Sequence, residues 1–286
     1  MTPYTSNAIA HSAQSGVALA LDRLRSGPDF PVETPKMTFL QSPRPGASSA
    51  EAFVLWPAGA PLLSDVTATF GRFGFKVADR AHLPLPSGFP PEASLHRFTF
   101  QVSHTGADGS YERVSDAFEA AHTGDFEVDD YSVLVLAEGI SWREAVLVRA
   151  ASRFLRQAGL SFSHTYVVDT MLRHSGFARA FVTYFAARFE PAAPNRDDRV
   201  HQAHSALTAH LDRAVTVDDD RTLRALASFV TACVRTNWYQ TDAAGTPKPY
   251  ASFMLDSAQL AAEPKVAGIV PLREIYIHSR PPRRHG

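Results

Sequence analysis

The hydrophobic pattern of this chain changes period along its length. Val17-Ala18-Leu19-Ala20-Leu21-Asp22-Arg23-Leu24 is a short amphipathic stretch whose spacing predicts a helix. It sits within residues 1–50, which are rich in Ser, Pro, Ala and Gly. Pro28, Pro31, Pro35, Pro43 and Pro45 punctuate that segment, and a proline donates to neither helix nor ladder. The expectation there is a linker or disordered lead-in, with one edge strand over Met37 to Leu40.

Beyond residue 50 the pattern alternates between the two periods. Ala52-Phe53-Val54-Leu55-Trp56, stopped by Pro57, reads as a strand. Leu62, Leu63, Val66, Phe70 and Phe73 recur at helical spacing, with Ser64 and Asp65 as candidate caps and Gly74 as terminator. Phe75 to Ala78 and Leu95 to Val102 read as two more strands. Strand, helix, strand, strand predicts a small α+β sandwich, one helix over a short antiparallel sheet.

From Asp116 the helical period dominates. Ser141 and Glu144 have capping-box spacing. Behind them Leu147, Ala151, Phe154, Leu155 and Ala158 form one face, and Arg149, Arg153 and Arg156 a second, read as solvated. Further helices are expected from Ser163 to Arg173, over Phe177 to Phe189, around Val200 to Leu211, and along Leu223, Leu226, Ala227, Val230 and Val234. Asp218 to Asp220 is read as the cap of the last of these. Two strand-like runs follow, Tyr250 to Leu255 and Glu274 to His278. The expected organisation is a lead-in over 1–50, an α+β module over 51–110, a helical domain over 111–237 and a C-terminal strand region over 238–286.

Composition narrows the class. The 286 residues are 45% hydrophobic and 20% charged, an ordinary globular balance. A net charge of −1 gives no electrostatic case for nucleic acid or an anionic membrane as partner. No apolar run approaches the ~20 residues that span a bilayer, no signal-like start is present, and Cys233 is the sole cysteine. A cytoplasmic protein is expected.

Candidate chemistry is sparse. No G-x-G-x-x-G follows a strand, no G-x-x-x-x-G-K-[ST] occurs, and Gly71-Arg72-Phe73-Gly74 has the wrong spacing to cradle a pyrophosphate. His201 and His204 share a helical face without a cysteine to complete a zinc site, and His210 lies off their stripe, so all three read as surface histidines. Cys233 follows an apolar stripe and reads as a small buried hydrophobe. The Asp218 to Asp220 run lacks the glycine and distal glutamate of a calcium loop. Ser161 and Ser163 sit in no nucleophile elbow. Phe177, Phe181, Tyr184, Phe185 and Phe189 read as core. On residues alone, no catalytic, cofactor-binding or metal position is assigned.

Longer motifs carry more. Thr236-Asn237-Trp238-Tyr239-Gln240, Lys248-Pro249-Tyr250-Ala251-Ser252-Phe253-Met254-Leu255-Asp256 and Arg273-Glu274-Ile275-Tyr276-Ile277-His278-Ser279 follow one another in order. Together they resemble the entry to the catalytic region of the large, long-subunit bacterial NAD-dependent glutamate dehydrogenases. Leu63-Ser64-Asp65-Val66 and Phe73-Gly74-Phe75-Lys76-Val77 look like the last ACT-like module of that family. Ile140-Ser141-Trp142-Arg143-Glu144, Phe154-Leu155-Arg156-Gln157-Ala158-Gly159, Phe162-Ser163-His164-Thr165-Tyr166 and Ala187-Arg188-Phe189-Glu190-Pro191 resemble its following helical segment.

The resemblance implies oxidative deamination of glutamate to 2-oxoglutarate and ammonia, with NAD accepting the hydride in the full-length family. It also implies that the catalytic lysine, the glutamate-binding positions and the nucleotide fold lie beyond Gly286. The basic, Pro-rich residues 280–286 stand where the family continues, which suggests a truncated or frame-shifted reading frame. The expectation is therefore a regulatory and scaffold portion, inactive alone, with no NAD bound to this chain. Its expected partners are further copies of itself or other dehydrogenase subunits, and an amino-acid effector. A stand-alone amino-acid-binding module, or a partner of a full-length dehydrogenase, is the alternative.

Overall fold

The computed structural model describes residues 16–25, 33–40, 48–104, 106–107, 109–191, 194–260 and 274–279. The proline-bearing stretches 26–32 and 41–47, the start of the lead-in, Arg273 and the basic residues 280–286 lie outside the described residues. The chain divides into two units, one comprising residues 1–128 with 135–142, the other 129–134 with 143–286.

The first unit is a sheet covered on both faces. Its elements are α1 (16–25), β1 (Lys36–Phe39), β2 (Ser49–Trp56), α2 (Leu63–Arg72), β3 (Phe75–Leu83), β4 (Ser94–Val102) and α3 (Ser110–His122). The strands run antiparallel in the order β1-β2-β4-β3, with the expected edge strand at β1. Strand β2 is apolar on both sides because both sides are buried. Phe53 and Leu55, with Leu95, pack on Ala20, Leu21 and Leu24 of α1. On the opposite face Phe70 of α2 meets Phe98 at 5.1 Å and Phe100 at 4.8 Å, and stacks on Phe118 of α3 at 5.6 Å. Three helices thus cover the sheet where the pattern predicted one. The expected cap of α2 is also corrected. Leu62 occupies the cap position without a side-chain bond, and the first turn closes from Asp65 N to Leu62 O at 3.1 Å. Ser64 and Asp65 fall inside that turn. Gly74 does terminate the helix, at a φ of 90° that favours glycine.

The second unit packs helices on a second sheet. It holds a 3₁₀ turn (Asp130–Ser132), α5 (Trp142–Gln157), α6 (His164–Arg173), α7 (Phe177–Phe189), α8 (Arg196–Leu211), α9 (Val217–Ala232), β5 (Cys233–Thr236), β6 (Tyr250–Leu255) and β7 (Glu274–Ser279). A short α4 (Val133–Glu138) straddles the division between the units. The last helix ends two residues earlier than the stripe to Val234 predicted. Cys233 to Thr236 instead form a strand, and Arg188 Nη1 donates to the carbonyls of Val230 at 2.5 Å and Thr231 at 2.8 Å. A cation there suits the negative end of the helix.

Because β5 exists, Tyr250 to Leu255 and Glu274 to Ser279 are not an isolated hairpin. They form the antiparallel sheet β5-β6-β7. Its inner face lies on the helices: Phe253 meets Phe229 at 5.2 Å and Phe185 at 6.1 Å, and Tyr276 meets Phe154 at 5.4 Å. Phe177, Phe181 and Phe185 are at most 1% exposed, as expected of a core stripe.

Candidate functional site

The densest polar constellation of the second unit begins with a turn. Asp129 caps the 3₁₀ turn, accepting from Tyr131 N at 3.0 Å, while its own N–H donates to Ser132 Oγ at 3.0 Å. This reciprocal arrangement fixes the carboxylate on the side facing α5. There Arg149 reaches it with Nε at 2.6 Å and Nη2 at 2.8 Å, and Arg153, one turn later, lies 4.0 Å away. Arg149 is 2% exposed. Its placement on a solvated face is therefore overturned. The ion pair, with its hydrogen bond from Nη2 to Asp129 Oδ1, makes burial of the guanidinium tolerable, since a buried charge needs a partner.

The same turn carries Tyr131, whose hydroxyl is 2.5 Å from Ser152 Oγ and 3.0 Å from His164 Nδ1. Burial pushes the Tyr131 phenol up to about 12. His164 is lowered by burial, then by Arg156 and Arg153. Strand β7 contributes the remaining groups. His278, 8% exposed, is pushed down to about 4 by burial first and then by Arg153 and Arg149. Its neighbour on the same face is Tyr276, packed on Phe154. Both histidines are thus held neutral at pH 7 beside arginines. The phenol stays protonated and Ser152 is fully buried, so the cluster offers hydrogen bonding and fixed charge, and no activated nucleophile.

A second constellation ties α6 to α9. Asp219 Oδ1 accepts from Arg173 Nη2 at 2.6 Å, from Tyr166 OH at 3.2 Å and from Thr170 Oγ1 at 3.2 Å, and His174 Nε2 lies 3.2 Å from Oδ2. The Arg173 bond leads in holding the Asp219 carboxyl well below the usual range. Asp218 to Asp220 do not cap α9. Thr216 caps it, accepting from Asp219 N at 3.1 Å, because its extended backbone precedes the first helical residue. The acids occupy the first turn, where the helix dipole favours them, and Asp219 turns inward as an anchor.

The remaining candidates lie apart from these clusters. His201 and His204 are exposed on α8, and His204 rests on the Tyr184 ring at 5.3 Å. A Cβ on Gly176 would lie 2.9 Å from the His210 ring, so His210 packs on a turn that needs glycine. No group of three metal-ligating side chains gathers among the described residues. Cys233 is fully buried, and burial pushes its thiol up to about 12. Ser163 serves as the cap of α6, accepting from Tyr166 N at 3.1 Å. The Asp129 cluster escaped the sequence reading because its members come from a turn, two helices and a strand. Its one local signal is the Asp129 to Ser132 spacing of a capping box.

Among the described residues no helix is long and apolar enough to cross a membrane. Both sheets are antiparallel throughout.

Comparison with known proteins bears on both segments of the cluster. Residues 126–191 match the family model described as glutamate dehydrogenase, helical motif 3. Residues 206–284 match the bacterial NAD-glutamate dehydrogenase catalytic domain. Asp129, Arg149 and His164 fall in the first match, and Tyr276 and His278 in the second. The NAD-specific glutamate dehydrogenase of Halomonas elongata is 29% identical over 239 residues, covering 81% of this chain and 14% of the relative. That of Pseudomonas aeruginosa is 32% identical over 241 residues, with the same 81% and 14%. That of Mycobacterium tuberculosis is 34% identical over 174 residues, 59% of this chain and 10% of the relative. The chain thus spans about a seventh of the length of the first two. By sequence it corresponds to a region of the bacterial NAD-specific glutamate dehydrogenases, the family that its C-terminal motifs resemble.

Proposed function

We propose that this chain is the regulatory and scaffold portion of an NAD-dependent glutamate dehydrogenase of the long-subunit class. The observation that carries the reading is the Asp129 cluster. It joins residues matched to helical motif 3 with a strand matched to the catalytic domain in one packed unit. In this role α5 holds β7, and through it the first strands of a catalytic region, at a fixed height on the helical core.

The described residues do not fit a dinucleotide. Such a cofactor sits at a Gly-rich turn between a strand and a helix of a parallel sheet, whereas the described sheets are antiparallel. No step of the hydride chemistry is therefore assigned to residues of this chain. Purified alone, the chain should show no glutamate-dependent reduction of NAD. Sustained turnover, in a preparation free of host dehydrogenase, would refute the scaffold reading.

A second reading is favoured by the first unit. Its β2-α2-β3-β4-α3 run sets two helices on one face of an antiparallel sheet, an arrangement that suits an ACT-like module taking an amino-acid effector. Calorimetric titration with amino acids tests it; heats no larger than dilution would remove it.

A further inference from the structure

Trp56 and Ser94 stand directly opposite each other where β2 and β4 pair, so their side chains leave the same face of the sheet. Trp56 is 2% exposed, yet its Nε1–H has no hydrogen-bond partner among the described residues. Neither has the buried Ser94 hydroxyl. Buried polar groups are nearly always paired, because leaving one unmade forfeits its hydration with nothing in return. Two such groups side by side mark a place where a partner is expected.

The next positions on that face are basic. His96 stands opposite His82 of β3, ring centroids 5.1 Å apart. Arg80 Nε donates to His96 Nδ1 at 3.1 Å. An accepting Nδ1 requires a neutral ring, and His96 is pushed down to about 4 by burial, Arg80 and His82. Ser94 and His96 are two residues apart on one strand, about 7 Å, which is the reach of a small molecule. Two loops meet at this end of the sheet: a Cβ on Gly59, in the β2–α2 loop, would lie 3.9 Å from the carbonyl of Glu92 in the β3–β4 loop.

We propose that this end of the sheet binds a small carboxylate, its oxygens accepting from Trp56 Nε1–H and Ser94 Oγ–H and its charge facing Arg80 and His82. The ligand completes the two unmade hydrogen bonds and supplies the negative charge that a basic cluster lacks. The site stands whether or not the chain serves a dehydrogenase, and it gives the amino-acid-effector reading a location.

The test is calorimetric titration of the full chain with acetate, L-aspartate, L-glutamate and inorganic phosphate, each to about 10 mM. Saturable binding of a carboxylate is expected, weakened at least about tenfold in Arg80→Gln, a loss of one charge-assisted contact. Trp56→Phe should weaken binding while raising the melting temperature of the unliganded chain, since it removes an unpaired buried donor. The His96 ring, followed by NMR, should titrate at higher pH once the carboxylate is bound. No saturable carboxylate binding, or binding that both substitutions leave unchanged, overturns the proposal; so does a preference for phosphate. Equal binding of acetate and the amino acids keeps the carboxylate site and removes the amino-acid-effector reading.

Discussion

Arg149 grips Asp129 through two guanidinium nitrogens, at 2.6 and 2.8 Å, from a position only 2% exposed. The pair fastens α5 to the turn before α4, and its charges act on the buried His278 of β7. Removing one partner of such a pair strands the other charge in the protein. Arg149→Ala should therefore cost about 3–5 kcal/mol in a reversible denaturant titration. Arg153→Ala, 4.0 Å from the carboxylate and more than a third exposed on its side chain, should cost about 1 kcal/mol or less. Equal losses would mean that the fork contributes nothing beyond surface charge.

Core truncation provides a scale for that result. Phe181→Ala or Phe185→Ala should destabilise the second unit by about 3–5 kcal/mol, as large-to-small changes at buried aromatics do. Values below about 1 kcal/mol would place the core stripe of α7 on the wrong face.

The pH dependence of stability follows from the buried histidines. His278 titrates near 4 in the folded chain against 6.5 unfolded, with Arg149, Arg153 and Asp129 facing it. Between those values the unfolded chain binds a proton that the folded one refuses. Stability should be full above about pH 6.5 and fall as the pH drops toward 4. His96 adds to the same window. Asp219, whose carboxyl is depressed, adds a loss only below its ordinary value of 3.8. Chemical denaturation across pH 4 to 7 should show the slope, and His278→Gln should flatten it. An unchanged slope in both His278→Gln and His96→Gln would assign the dependence elsewhere.

Deleting residues 250–286 should lower the unfolding midpoint of the helical core. Two apolar strands without a third strand or a covering helix would form only a marginal, separable tail. With β5 as third strand and Phe253 seated on Phe229 and Phe185, removal of β6 opens a cavity in the helical core. An unchanged transition on deletion would restore the separable tail.

Much of the fold was legible from period alone. The strand Tyr250 to Leu255, the helix Ser163 to Arg173 and the edge strand at Met37 all fall where alternation or helical spacing puts them. What failed was whatever depends on a distant partner. Arg149, Arg153 and Arg156 share a polar stripe, and spacing cannot say that one of them meets a carboxylate twenty positions back. Cys233-Val234-Arg235-Thr236 continues the apolar stripe of α9, so its turn into a strand becomes visible only when β6 pairs with it. Thr216, which caps α9, is less conspicuous in sequence than the three acids that follow it. The polar cluster was illegible for the same reason, since Tyr131, Ser152, His164 and His278 span the whole second unit.

Amide hydrogen exchange on β6 and β7 tests the scaffold claim most directly, because it asks whether the helical core holds the strands matched to the catalytic domain. The account predicts that Ala251, Phe253, Leu255 and Tyr276 exchange as slowly as the amides of α5, through one cooperative opening, in a monomeric sample. Fast exchange across β6 and β7 while α5 stays protected would contradict it.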